Sequence, residues 1–220
     1  MVGTKPSPRL DVDLSAIWAR IEAAGPRRGA RAPSFPDVWD DGDDADERTR
    51  AQYDRRRTFI AFYGYAVPTR EAIGEVARFL DGRSVIEVCA GAGLWASLLS
   101  GAGVDIVATD ALLPRGAPYF PIAVLEAEAA VRAHPECGGL LLCWPPEGQS
   151  SAFRALSAFA GERVVYAGDV RFTATEEFHA LLAREWQMQD RLRLPSWPGL
   201  DDAVHLYTRT QERSALGPWA

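Results

Sequence analysis

IEVCAGAGLWA, residues 86–96, sets a short apolar run directly against two glycines, Gly91 and Gly93, and carries a carboxylate, Glu87, inside that run. An apolar strand that runs into a glycine turn and then a helix is a general device for bringing backbone close to a ligand. Glycine admits conformations and close approaches that a side chain blocks, and the helix N-terminus offers free N–H groups and a partial positive charge. The flanking sequence agrees with that reading. SVIEVCA predicts a strand, GLWASLLSGAG a helix ending in glycine, and DIVATD a second strand, which together make a βαβ unit.

The alternation continues on both sides. Upstream, Thr69 caps a predicted helix REAIGEVARFL, whose Ile73, Val76, Phe79 and Leu80 share one face, and Gly82 closes it. Downstream, AVLEAEAAVRAHP predicts a short strand and then a helix. GGLLLCWPP is a continuous apolar run of the kind a central parallel strand needs. SSAFRALSAFAG reads as a helix capped at or near Ser150, ERVVYAGD as a strand, and TATEEFHALLAREW as a helix with a capping box from Thr173 to Glu176. WQMQDRLRL and AVHLYTR follow with no helix between them, so they are expected to pair antiparallel. The fold class is therefore α/β, a Rossmann-like doubly wound sheet, mostly parallel, that closes on an antiparallel strand pair. Residues 1–68 differ in texture: a helix DLSAIWARIEAA, a Pro/Gly/Arg-rich connector, the acidic run WDDGDDADE, and a helix RTRAQYDRRRTFIAFY stopped by Pro68. They are expected to form a helical lid on a catalytic domain of residues 69–220.

The 220 residues are 47% hydrophobic and 25% charged, an ordinary globular composition. The net charge of -6 leads to the expectation of a small-molecule substrate and no nucleic-acid or membrane partner, because phosphate-binding surfaces are normally basic. Cys89, Cys137 and Cys143 have no CxxC spacing and read as reduced packing residues. The N-terminus lacks the apolar core of a signal peptide, so a cytoplasmic location is expected.

Two readings of the glycine turn compete: a dinucleotide fingerprint and a loop for S-adenosyl-L-methionine. Glu87 stands where the dinucleotide fingerprint has an apolar residue, and a buried carboxylate is costly unless it is hydrogen-bonded. Asp110 ends the next strand, where a carboxylate can accept both hydroxyls of a ribose; that feature is common to both readings.

ExCAGAG, an acidic residue closing the following strand, an apolar strand ending in WPP and a terminal antiparallel pair together resemble the class I S-adenosylmethionine-dependent methyltransferases. The resemblance spans roughly residues 53–210, and an FYxxAxPT stretch with a CWPP motif resembles a bacterial branch of that family. It implies a seven-stranded sheet of order 3-2-1-4-5-7-6 and S-adenosyl-L-methionine as cofactor. It also implies that Glu87, Ala90, Gly91 and Gly93 contact the methionine part, that Asp110 binds the ribose, and that Glu126 lies on the adenine side. Cys89 replaces the family's usual first glycine, and Cys143 joins the cofactor-binding set.

In amino-directed members of the family, a (D/N/S)PP(Y/F/W) motif orients the acceptor nitrogen. Here Trp144 occupies the polar position and Glu147 the aromatic one, so the carbonyls survive and the side-chain acceptor does not. Tyr63, Tyr65, Trp95 and Trp144 flank the cofactor segments and are candidates to face a sulfonium by cation-π attraction. Trp197 is a candidate wall. Trp144, Asp169 and Tyr65 are the expected catalytic set, with Asp169, at the end of VVYAGD, orienting the nucleophile. No metal site is expected, and His134, His179 and His205 read as structural. The implied function is methyl transfer to nitrogen or oxygen of a small molecule. Two alternatives share the cofactor: cyclisation of S-adenosylmethionine to azetidine-2-carboxylate with loss of methylthioadenosine, and a non-catalytic adenosine-binding domain.

Overall fold

Strands β1 (Val85–Val88), β2 (Ile106–Asp110), β3 (Ile122–Val124), β4 (Gly139–Cys143), β5 (Arg163–Gly168), β6 (Trp186–Arg193) and β7 (Ala203–Arg209) form one sheet of order β3-β2-β1-β4-β5-β7-β6. They are seen in a computed structural model that describes residues 13–26, 47–114 and 116–210. β1 pairs in parallel with β2 and β4, β2 with β3, and β4 with β5. β7 runs antiparallel to both β5 and β6, as the missing crossover helix requires. The fold is the Rossmann-like doubly wound sheet expected from the sequence.

The two-residue period of the strands sorts side chains onto two faces. Val85 of β1, Leu141 of β4, Val165 and Ala167 of β5 and Val204 of β7 belong to one core cluster. That cluster takes in helices α1 (Leu14–Ala24), α2 (Glu47–Tyr63), α3 (Arg70–Leu80) and α4 (Leu94–Gly101). Ile86, Val88, Leu140, Leu142, Val164 and Tyr166 face the other way, toward α5 (Ala127–Ala133), α6 (Ser151–Ala158) and α7 (Glu176–Glu185). Every residue of β1 is buried, which is why the run shows no alternation of apolar and polar residues.

The N-terminal helices are part of this core. Ile17, Trp18 and Ile21 of α1 and Phe59 of α2 are buried in the same cluster as α3 and β1, so the boundary expected at residue 68 does not divide two cores. The connector and the acidic run of the expected lid lie, from residue 27 to residue 46, outside the described residues. α1 packs its Leu14 over Gly101 at the end of α4, where a Cβ would overlap the leucine side chain. α2 is tied to α1 by Arg55, whose guanidinium donates to the carbonyls of Ala23 (2.8 Å), Ala24 (3.1 Å) and Gly25 (3.1 Å). A cation bonded to the last carbonyls of a helix satisfies orphan acceptors and opposes the negative end of the dipole.

Thr69 caps α3 as expected, its hydroxyl accepting from Ala72 N at 3.1 Å. α7 corrects the expected capping box. Its cap is Thr175, which accepts from Phe178 N, while Thr173 is buried and donates to the Asp169 carbonyl at 2.8 Å. Two threonines two residues apart offer two helix starts, and the tertiary demand of the β5 loop claims the first. Ser150 precedes α6 without a side-chain cap bond.

Arg55→Ala leaves three carbonyls at the end of α1 without their donor. Equilibrium denaturation is expected to show a loss of about 1–2 kcal/mol, most of which Arg55→Lys fails to restore because a point charge cannot span three acceptors.

Candidate active site

The carboxyl ends of β1, β2, β4 and β5 and the start of β7 meet on one rim of the sheet, where open α/β sheets bind ligands. β1 breaks off in a turn of left-handed residues: Cys89 (φ 55°), Gly91 (φ 56°) and Gly93 (φ 73°). Cys89 thus holds the backbone conformation that suits a glycine, and its thiol approaches the Ser151 hydroxyl at 3.8 Å. The Ala90 N–H donates to the Thr109 carbonyl at 3.0 Å, which ties the turn to β2.

The two glycines have different work. A Cβ on Gly91 would meet no atom within 4 Å, so this residue faces open space, and its N–H donates to Asp110 Oδ2 at 2.9 Å. A Cβ on Gly93 would stand 2.8 Å from Ile122 Cδ1 and 2.9 Å from Phe120 Cβ. The segment before β3 folds back over it, held by the Tyr119 N–H on the Ala92 carbonyl at 2.8 Å. Gly93 therefore makes room for packing and caps the start of α4. Asp110 Oδ1 also accepts from Leu112 N at 3.0 Å, so both carboxylate oxygens are fixed in direction by backbone donors.

Glu87 is fully buried, and its Oε2 has no hydrogen-bond partner among the described residues. Burial pushes its carboxyl up to about 8, against the Ala96 backbone N–H that favours the ion and with help from the charge of Asp110. An orphaned carboxyl oxygen behind an open glycine turn suits a cationic group. With the oriented Asp110 carboxylate, it makes the residues present fit S-adenosylmethionine, whose amine and sulfonium are cationic and whose ribose offers two hydroxyls.

The second part of the rim is built around Trp144. It too is left-handed (φ 49°), with its N–H on the Ala167 carbonyl at 2.8 Å and its indole Nε1 donating to Asp202 Oδ1 at 2.8 Å. A Cβ at Gly168 would come within 3.3 Å of the indole Cδ1, so that glycine lets the ring lie across the end of β5. Tyr65, which is exposed, stacks on the indole at 5.1 Å and 18°, and the Arg56 guanidinium stands 5.9 Å from the ring centre. Asp202 is fully buried and its Oδ2 has no partner among the described residues. Burial raises its carboxyl to about 7, opposed by the Trp144 bond and Arg56 and assisted by Asp169 and Asp201. The Cys143 thiol, pushed well up by burial, lies within the fields of both Glu87 and Asp202 and links the two halves of the rim.

The remaining expected residues fall elsewhere. Asp169, expected to orient the nucleophile, is held by four donors from Arg171 and Asp201. Its Oδ1 accepts from Arg171 Nε and N (both 3.0 Å), and its Oδ2 from the Asp201 N–H at 2.8 Å and Arg171 NH2 at 2.6 Å. Burial would raise this carboxyl, but those donors outweigh it and hold it low. Trp95 and Trp197 are buried core residues, each with an indole N–H unpartnered among the described residues, and neither offers an open ring face. Tyr63 stacks on Tyr119 at 6.4 Å. Glu126 is exposed at the start of α5 and makes no cap bond.

Sequence reasoning missed Asp202. The signal was present: a strand antiparallel to its neighbours begins at the rim where the parallel strands end, so the acidic pair before AVHLYTR had to reach the site. Among the described residues no cluster of His, Cys, Asp or Glu is arranged to hold a metal, and no helix is long and apolar enough to cross a membrane.

No protein-family model and no curated protein matches this chain. Several solved structures are similar to it over part of its length. TrmN from Thermus thermophilus is 17% identical over 71% of this chain and 53% of its own, with a TM-score of 0.48. The N-methyltransferase NodS from Bradyrhizobium japonicum, in complex with S-adenosyl-L-homocysteine, is 13% identical over 65% of this chain and 87% of its own, with a TM-score of 0.48. The Pyrococcus abyssi tRNA (uracil-54, C5)-methyltransferase is 14% identical over 64% and 37%, with a TM-score of 0.46. The chain spans about half the length of TrmN. The expectation that nucleic acid is excluded as a partner is corrected here: this fold also carries a tRNA methyltransferase and the 23S rRNA methyltransferase ErmE. Net charge is a sum over the whole surface, whereas an acceptor is met by one rim of it.

Glu87 binds a proton in the folded protein up to about pH 8, whereas its unperturbed value is 4.5, so the folded state holds the extra proton between those limits. Its contribution to stability is full below the lower value and is lost as pH rises through the upper one, with a slope of at most about 1.4 kcal/mol per pH unit. Denaturation of the ligand-free protein from pH 5 to pH 8 is expected to show stability falling more steeply in the parent than in Glu87→Gln. Parallel curves would remove Glu87 from the account.

Proposed function

We propose that the protein binds S-adenosylmethionine at the β1–α4 turn and transfers its methyl group to a nitrogen or oxygen nucleophile. The observation that carries this reading is the Gly91–Asp110 pair: an open glycine backbone locked to a carboxylate whose direction is fixed, with the orphaned carboxyl oxygen of Glu87 buried behind it.

In this reading Asp110 accepts from the ribose hydroxyls, and the backbone from Cys89 to Gly91 borders the methionine part. Glu87 ionises when an ammonium group comes near, since an opposite charge offsets the burial that now favours its neutral form. Glu126 lies at the start of α5, beside the end of β3, on the adenine side. The cofactor supplies an electrophilic methyl on a sulfonium, so the protein's task is chiefly alignment and exclusion of water. Trp144 closes the rim by its stack with Tyr65 and its bond to Asp202. Asp202 adds a carboxylate beside Trp144, which suits an outside acceptor more than cyclisation of the cofactor.

Titration calorimetry with S-adenosylmethionine and S-adenosylhomocysteine tests the reading. Both are expected to bind, and Asp110→Ala to weaken each about tenfold or more through loss of two charge-assisted hydrogen bonds. Mass spectrometry of incubations with amine and hydroxyl acceptors is expected to show S-adenosylhomocysteine. Methylthioadenosine formed without an acceptor would establish the cyclase instead, and no binding of either nucleoside would end the proposal.

A further inference from the structure

Asp202 is the one fully buried carboxylate at the rim whose free oxygen is not claimed by the cofactor turn. Asp169 beside it is saturated by Arg171 and the Asp201 N–H, and Asp110 is directed by two backbone donors. Asp202 has one oxygen on the Trp144 indole and the other unpartnered among the described residues. The indole fixes the carboxyl group in place without neutralising it, and the Tyr65–Trp144 stack sets a flat apolar wall beside it. Trp144 directly follows the end of β4. The left-handed backbone there and the missing Cβ of Gly168 allow the ring to reach across the end of β5 to the start of β7.

We propose that Asp202 Oδ2 is the group that holds and then receives the proton of the methyl acceptor, which makes the acceptor a nucleophile with a removable N–H or O–H on a planar apolar body. This inference rests on the methyl-transfer reading above. In the step it describes, the nucleophile's lone pair forms the bond to the methyl carbon. The carbon–sulfur bond breaks with its electron pair left on sulfur, giving S-adenosylhomocysteine. The N–H or O–H proton passes to Asp202 and from there to solvent, so charge and atoms balance.

The electrostatic setting suits a proton acceptor. Arg56 of α2 favours the anion, and Arg171 also lies within its field. Asp169 at the end of β5 and the adjacent Asp201 disfavour the anion, and Cys143 and Tyr166 face it as neutral groups whose own ionisation its charge opposes. With burial, the balance leaves Asp202 titrating at about 7, where a base and its conjugate acid are both accessible near neutrality.

The test uses the full-length protein saturated with S-adenosylhomocysteine and two probes, indole and 1-methylindole, which share a ring and differ in one N–H. Binding is read by ligand-detected NMR from pH 5.5 to pH 8.5. Indole is expected to bind about tenfold more tightly than 1-methylindole at pH 8.5, where its N–H meets a carboxylate. That preference is expected to fall away below pH 7 and to be absent at every pH in Asp202→Asn, whose amide keeps the Trp144 bond but presents a donor at the Oδ2 position. A preference that persists in Asp202→Asn, one that does not change with pH, or none at pH 8.5 would each overturn the proposal. Because Oδ1 is held by the indole, protonation in the parent protein turns Oδ2 into a hydroxyl donor and a weak acceptor, so the pH series decides even if the variant fails to fold. S-adenosylhomocysteine affinity is measured in the same samples. Its absence with the indole preference intact would overturn the cofactor reading and leave Asp202 as a donor-binding group, whereas normal affinity without the preference would overturn this inference alone.

Discussion

A carboxyl group in the middle of an entirely buried strand is the constraint around which this structure is arranged. Glu87 lies on β1 between β2 and β4, under α4, where removal from water disfavours its charge and only the Ala96 N–H favours it. A hydrophobic residue there would make the sheet more stable, since an unsatisfied buried polar group costs about 1–3 kcal/mol. The cost is tolerable because the same strand ends in the open turn at Gly91, so the group lies where a cationic ligand would complete it. Stability and function pull in opposite directions at this position, as is common where buried titratable groups line a cleft.

Asp202 repeats the arrangement at the other half of the rim, with Cys143 between the two acids. Both carboxyls are raised chiefly by burial, and each keeps an oxygen without a partner among the described residues. Their surroundings separate their roles. Glu87 sits behind the glycine turn, under the Ala96 N–H. Asp202 is fixed by an indole, flanked by Arg56 and set against the Tyr65–Trp144 stack. Two buried acids of the same chemistry at one rim of the sheet thus differ by what each touches.

The N-terminal helices also owe their place to this rim. α2 brings Arg56 and Tyr65 follows it, so the helical layer is both a cover for the apolar face of the sheet and a source of site residues. Arg55 and Arg56 are neighbours in sequence, yet one caps α1 and the other enters the core beside Asp202, because successive residues on a helix point in directions about 100° apart. A change in the packing of α1 against α2 would therefore be felt at Asp202.

The succession of strands and helices, the antiparallel last pair and the position of the ligand edge followed from the sequence, while the sheet order came with the resemblance to a known family. Continuous apolar runs, glycine turns and the absent last crossover are local or nearly local signals, and each reflects a steric or hydrogen-bonding requirement that few other arrangements meet. Glu87 and Asp110 were legible for the same reason, since their distance from the glycine turn along the chain fixes their place on the strands. Which glycine faces open space, which aspartate is a strut and which keeps a free oxygen, and whether Trp197 is wall or core were decided only in three dimensions. Gly93 and Gly91 are alike in sequence and differ because Phe120 and Ile122 arrive from β3. Asp169 and Asp202 are both acids at strand ends and differ because Arg171 reaches one and an indole the other. The indole comes from 58 residues away along the chain, so no local pattern records its bond to Asp202, and only the closing of β7 against β5 brings the two together.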